Sequence, residues 1–316
     1  MFDKDSKGIS YTAGFFMLIA FVVAGYFFAS FINIWVWQAL TGTSALTIKE
    51  GMTDPANGDA VKLMQCITAI LAFFLPALIT ASVMNRKPVK LLGLSYRVNL
   101  KQVGLVCAIM LAALFVSTFL GYVTRLIPLP ESLKLQFDKM ESDYIKQAAA
   151  IIGLKSFADY ILALFVMAFI PAFCEEVLFR GGLQNYLTRA TRKPWVSIIV
   201  VSLLFSVAHI SFYGFLPRLF LGIILGVLFE YSGRLWLSII AHFANNALAV
   251  TVLYVQAQQG KSIIDSMKES EGSWIGILGI PIVIALVIFF KKIGNKPQEL
   301  PGGVMRNEEL RNTPFY

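Results

Sequence analysis

Ionisable side chains are scarce within the apolar stretches of this sequence, and they concentrate at three places. One stretch reads Phe173-Cys174-Glu175-Glu176-Val177-Leu178-Phe179-Arg180. A second ends Phe205-Ser206-Val207-Ala208-His209, and a third holds His242-Phe243-Ala244-Asn245-Asn246. His209 and His242 are the chain's only two histidines. Ionisable groups are costly to place in an apolar segment and by default mark function there. A carboxylate and an imidazole held around one water can remove its proton, and the resulting nucleophile attacks a peptide carbonyl. Neighbouring N–H groups can then hold the developing oxyanion.

Helical spacing sorts these residues into roles. Glu176 and Arg180 are four apart with the acid first, the favourable order for an ion pair on one helix face. Glu175 points about 100° away around the same helix and is left as the free carboxylate. His242 and Asn246 are also four apart and project from one face, where both could donate to an oxyanion. Glu175 lies seventeen residues before Arg192 and His209 seventeen after it. In an antiparallel hairpin turning at Arg192, both groups would stand about 25 Å from the turn. Pro171, one turn before Glu175, frees the carbonyl of Met167 and predicts a kink or widened cavity that admits water. No serine or cysteine has an evident catalytic partner, and Cys174 points to another face. Glu175, His209 and His242 also match a catalytic zinc set whose fourth position holds water. Against zinc, there is no His-Glu-x-x-His helix. If Glu175 were a ligand, only the Arg180-paired Glu176 would remain as a base, so a metal-free site with no cofactor is favoured and zinc is the alternative.

Together these residues resemble the CAAX protease and bacteriocin-processing family, which includes the type II CAAX prenyl proteases. The matching elements are Glu-Glu-x-x-x-Arg (Glu175, Glu176, Arg180), Phe-x-x-x-His (Phe205, His209) and His-x-x-x-Asn (His242, Asn246), with Gly222, Gly226 and Gly233 spaced before His242. The resemblance covers roughly residues 157–250. It implies an eight-helix intramembrane endopeptidase in which Glu175 and His209 activate water and His242 and Asn246 hold the oxyanion. Glu176 and Arg180 would be structural support. Residues 1–150 carry no matching signature, and the resemblance does not extend to prenylated substrates.

The elements that must position these groups are membrane helices. The chain has 316 residues, 57% hydrophobic and only 15% charged, with mean hydropathy +0.69. A soluble domain carries roughly 45–50% apolar and about 25% charged residues. The excess apolar surface needs lipid to face. Stretches long enough to span are 11–38, 62–84, 102–125, 157–189, 194–211, 215–232, 234–257 and 274–291, which predicts an all-α polytopic protein with about eight transmembrane helices. Residues 1–293 read as one membrane domain and 294–316 as a polar cytoplasmic tail.

The net charge of +8 lies mostly between the apolar runs, where it sets orientation and meets anionic lipid, so no nucleic-acid partner is implied. Arg86, Lys87, Lys90, Arg97 and Lys101 follow the second span. Arg189, Arg192 and Lys193 follow the fourth, and Lys291, Lys292 and Lys296 open the tail. With eight spans these share one side, so both termini are expected in the cytoplasm, with a bacterial plasma membrane as the expected location. The run after Tyr11 is too long for a signal-peptide core and reads as a retained first helix. Cys66, Cys107 and Cys174 read as buried apolar side chains rather than disulfides. Residues 126–156, with Lys134, Lys139, Lys146 and Lys155 among acids and periodic apolar residues, suggest an amphipathic surface helix or a solvated helical loop. Gly222 and Gly226 suggest close helix packing. Arg218 and Glu230 fall near opposite ends of their span and read as interfacial. The expected partners are a peptide or membrane-protein substrate and membrane lipid. Two other functions fit the same residues: a non-catalytic membrane scaffold or bacteriocin-immunity protein, and, more weakly, a proton-coupled transporter.

Overall fold

In lipid, each backbone N–H and C=O must bond within its own segment, so long apolar runs become helices. The computed structural model describes residues 5–95, 98–154, 156–269 and 272–293. Arg97, Lys155, Lys296 and the tail 294–316 lie outside the described residues. The helices are α1 (Tyr11–Thr41), α2 (Pro55–Met84), α3 (Leu100–Arg125), α4 (Glu131–Ile152), α5 (Phe157–Thr191), α6 (Pro194–Ala208), α7 (Phe215–Ser232), α8 (Leu235–Gln258), α9 (Ile263–Glu269) and α10 (Trp274–Ile293). Among the described residues there is no strand, only an isolated bridge between Ser6 and Asn85.

Seven of these helices are long and apolar enough to cross a membrane. The protein is an all-α integral membrane protein. The stretch expected to form the fifth span is shorter than 194–211: α6 ends at Ala208 after 15 residues. A helix of that length rises about 22 Å, against a hydrocarbon core of about 30 Å. It is too short to cross such a core alone, and His209 is its C-terminal cap.

The α5–α6 hairpin turns where expected. Arg192 takes the left-handed conformation (φ 58°) at the end of α5, its N–H donating to the Thr188 carbonyl, and Pro194 opens α6. Phe179 and Phe205, each thirteen residues from Arg192, meet edge to face at 5.2 Å, so equal sequence distance from the turn does become equal height.

Two π-helical turns interrupt α5, at Leu164–Phe169 and Val177–Gln184, and the short α-helical piece between them carries Pro171, Glu175 and Glu176. Proline has no N–H to give and its ring crowds the preceding turn, so a widened turn lets the hydrogen-bond ladder pass it. Pro76 of α2 likewise follows a π turn, Ala69–Phe74. The deformation expected at Pro171 is therefore present as a π turn immediately before it.

α5 is tied to α7 by two buried bonds with the same spacing: Arg180 Nη2 donates to the Gly222 carbonyl and Gln184 Nε2 to the Gly226 carbonyl, both at 3.0 Å. Gly222 packs closely against α6. A Cβ there would lie 3.0 Å from Ser202 Cβ and 3.2 Å from Ser202 Cα. Gly222→Ala is expected to force α6 and α7 apart and destabilise the protein by about 1–3 kcal/mol. Thermal unfolding in detergent measures this; an unchanged midpoint would contradict the packing.

α4 does not stand free in solvent. Its Phe137 stacks on Phe212 at 4.5 Å, Asp138 accepts from the Tyr213 hydroxyl at 2.5 Å, and Glu141 accepts from Ser211 Oγ at 3.1 Å. The bond to Asp138, helped by that acid's charge, raises the Tyr213 phenol above its usual range. The amphipathic helix thus packs on the loop 209–214 that continues from α6.

Candidate active site

Glu176 and Arg180 form the pair that their spacing implies. Arg180 Nη1 donates to Glu176 Oε1 at 2.7 Å, and both side chains are fully buried. The same Glu176 oxygen also faces His242 Nδ1 at 3.0 Å. Because a carboxylate only accepts, this contact places a proton on His242 Nδ1. Glu176 is therefore more than Arg180's counter-ion: it orients a histidine 66 residues away in sequence.

With Nδ1 committed, His242 turns Nε2 toward Glu175, whose Oε2 lies 4.0 Å away. The Glu175 side chain is 14% exposed, and Oε2 is buried with no hydrogen-bond partner among the described residues. Buried polar atoms are normally bonded, so an unpartnered carboxylate oxygen beside an imidazole marks a place for water or substrate.

His209 is half-buried at the end of α6, where Nδ1 approaches the Phe205 carbonyl at 2.7 Å. A carbonyl accepts, so Nδ1 again carries the proton and Nε2 is left as the reactive nitrogen. His209 is near enough to Glu175 and His242 to sense both charges. The next residue, Ile210, has φ 47°, a left-handed conformation that a β-branched side chain rarely adopts. Strain of this kind persists only where its surroundings enforce it and gathers at functional sites.

Phe205 joins the cluster. Its ring meets His209 edge to face at 4.7 Å and His242 at 5.8 Å, and Arg180 sits 4.8 Å from its centroid. Its sequence signal was the four-residue spacing to His209, but only the fold places the ring between both imidazoles.

The protein thus brings Glu175, Glu176, Arg180 and His242 into direct contact, with His209 close by. Asn246 lies one turn beyond His242 on α8, and its Oδ1 accepts from Asn245 Nδ2 at 3.0 Å. For a zinc site, Glu175, His209 and His242 would have to converge on one point. Among the described residues no three His, Cys, Asp or Glu side chains form such a cluster.

Residues 157–248 match a family profile described as type II CAAX prenyl endopeptidase, Rce1-like. The matched segment runs from the start of α5 through Asn246 and contains every residue of the cluster. This part of the chain is similar to the type II CAAX prenyl endopeptidases, and the similarity covers the four helices α5–α8 that carry the site. No curated protein and no solved structure matches the chain.

Proposed function

We propose that this CAAX-protease-like protein hydrolyses a peptide bond near the membrane surface, with water activated by Glu175 and an imidazole. The observation that carries this is the unpartnered Glu175 Oε2 facing His242 Nε2 across 4.0 Å. A water shared by Glu175 and the Nε2 of His209 gives up its proton to the carboxylate as its oxygen attacks the carbonyl carbon. A carboxylate positioned against a water in this way can serve as the general base. The oxyanion needs donors. Neutral His242, protonated on Nδ1, has none at Nε2, but its imidazolium does. Glu176, bonded to Nδ1, stabilises that imidazolium electrostatically. His242 Nε2–H and Asn246 Nδ2 then hold the oxyanion, and Glu175 returns the proton to the leaving amine as the C–N bond breaks.

The substrate is a peptide or membrane protein that reaches this recess from lipid. On the positive-inside rule, the basic loops at Arg86–Lys90, Arg189–Lys193 and Lys291–Lys292 would face the cytoplasm together with both termini, in a bacterial plasma membrane. The direct test is N-terminal proteomics of a deletion strain complemented with wild type or Glu175→Gln. New protein N-termini that appear only with wild type are expected. Identical N-terminal profiles, with both forms restoring the same phenotype, would favour a scaffold or immunity role.

The mechanism uses no metal. Peptide cleavage in detergent is expected to proceed undiminished in o-phenanthroline, with zinc well below one atom per chain by elemental analysis. Loss of activity restored by added Zn²⁺ would instead favour the Glu175, His209, His242 ligand set.

A further inference from the structure

His209 closes α6 in a tightened turn. Its N–H donates to the Ser206 carbonyl at 3.3 Å, one residue short of the Phe205 carbonyl that a continuing α-helix would use. The Phe205 carbonyl meets the ring Nδ1 instead, at 2.7 Å. Where the helix stops therefore decides that Nδ1 is committed and that Nε2 is left to react. The residue that stops it is Ile210, which leaves the helical path at φ 47°. Its side chain is 72% exposed, so its own packing does not enforce that conformation. A β-branched residue strained in this way must be held by its neighbours.

Those neighbours are held by α4. Ser211, Phe212 and Tyr213 are consecutive, and each meets a residue of α4: Glu141, Phe137 and Asp138 respectively. Residues 137, 138 and 141 lie on one face of that helix. Ser211 Oγ, by donating to Glu141, keeps its lone pairs for the Gly214 N–H, which it accepts at 3.1 Å as the chain turns into α7. At the far end, Ser206 Oγ donates to the Phe215 carbonyl at 2.6 Å and closes the loop back on α6. On the α3 side the loop borders a cleft of about 540 Å³, lined in part by Ser117, Thr118, Tyr213 and Gly214, with the Arg125 guanidinium 4.8 Å from the Tyr213 ring. Beyond Arg125 a void supplies no packing, so α4 is the side from which the loop is held.

We propose that α4 sets His209 for catalysis: Asp138 and Glu141 are positioning residues that hold loop 210–214 in the shape that ends α6 at His209. The inference rests on the peptidase reading above and adds a remote element to the same site. Both acids act through the loop as hydrogen-bond acceptors, a task that does not require their charge.

Two double variants test this by cleavage of a quenched peptide in detergent. Asp138→Ala with Glu141→Ala removes both acceptors. Asp138→Asn with Glu141→Gln removes the charges and keeps an acceptor oxygen at each place. The alanine variant is expected to lose about 10–100-fold in kcat, the effect of a misplaced catalytic group, with KM within about twofold of wild type. The amide variant should stay within about threefold of wild type in kcat, since neutral hydrogen bonds replace charge-assisted ones. His209 and His242 are the chain's only histidines, so isotope labelling of histidine leaves two imidazoles to follow by NMR, assigned with His242→Gln protein. The His209 resonances should shift or broaden in the alanine variant while those of His242 hold. If that variant folds poorly, Tyr213→Phe with Ser211→Ala breaks the same two bonds from the loop side with less change in volume. Wild-type kcat in the alanine variant, an amide variant as slow as the alanine one, or a loss of kcat with unmoved His209 resonances would overturn the inference and leave the peptidase reading intact. No cleavage by wild type would remove both.

Discussion

Glu175→Gln protein is expected to fold as wild type does and to cleave peptide about 10²–10⁴-fold more slowly, the usual contribution of a positioned general base. The substitution changes one atom's worth of volume and removes only the ability to take a proton. Glu175 Oε2 has no bond to lose among the described residues, so little structural support depends on its charge. The side chain is partly exposed, and the His242 Nε2 that Oε2 faces is 4.0 Å away. The thermal midpoint should therefore stay within a few degrees of wild type while turnover collapses. Single-turnover cleavage of a quenched peptide, paired with a melting curve in detergent, separates the two quantities. Substantial residual turnover would move the base elsewhere, with His209 the next candidate.

Glu176→Ala should produce the opposite pattern, a large loss of stability together with lost activity. Glu176 is fully buried and serves two partners at once, Arg180 at 2.7 Å and His242 at 3.0 Å. Removing it leaves a fully buried guanidinium whose one remaining bond is to the Gly222 carbonyl. Breaking one side of a buried pair costs about 3–5 kcal/mol because the surviving charge stays in a low dielectric. His242 also loses the group that fixes its Nδ1 proton and supports its imidazolium. Replacing both partners, as in Glu176→Gln with Arg180→Met, should recover much of the stability, since no buried charge is stranded, but not the activity. Recovery of both together would mean that Glu176 acts only through folding.

The contrast between Glu175 and Glu176 was legible in the sequence, because one helical turn pairs Glu176 with Arg180 and leaves Glu175 on another face. The hairpin was legible too, since Arg192 marks a turn and equal counts on either side put Phe179 level with Phe205. Local geometry and membrane thickness decide such features, and both can be counted along a chain. Contacts across the fold cannot. The bond from Glu176 to His242 joins α5 to α8, and no spacing rule links them. α6 was expected to run to residue 211 because apolar residues continue through Ile210 and Phe212. The helix stops earlier because the following loop is held by α4 through Phe137, Asp138 and Glu141, a set of side chains that, read alone, suggests only an amphipathic surface.

In the proposed mechanism α5, α6 and α8 enclose one hydrated pocket between the Glu175 carboxylate and the imidazoles of His209 and His242. A density map of the protein in lipid nanodiscs, at a resolution that reveals ordered water, tests it most directly. A water bonded both to Glu175 and to an imidazole Nε2 is expected. A Glu175 carboxylate turned to lipid, or a dry contact with no water between these groups, would contradict it.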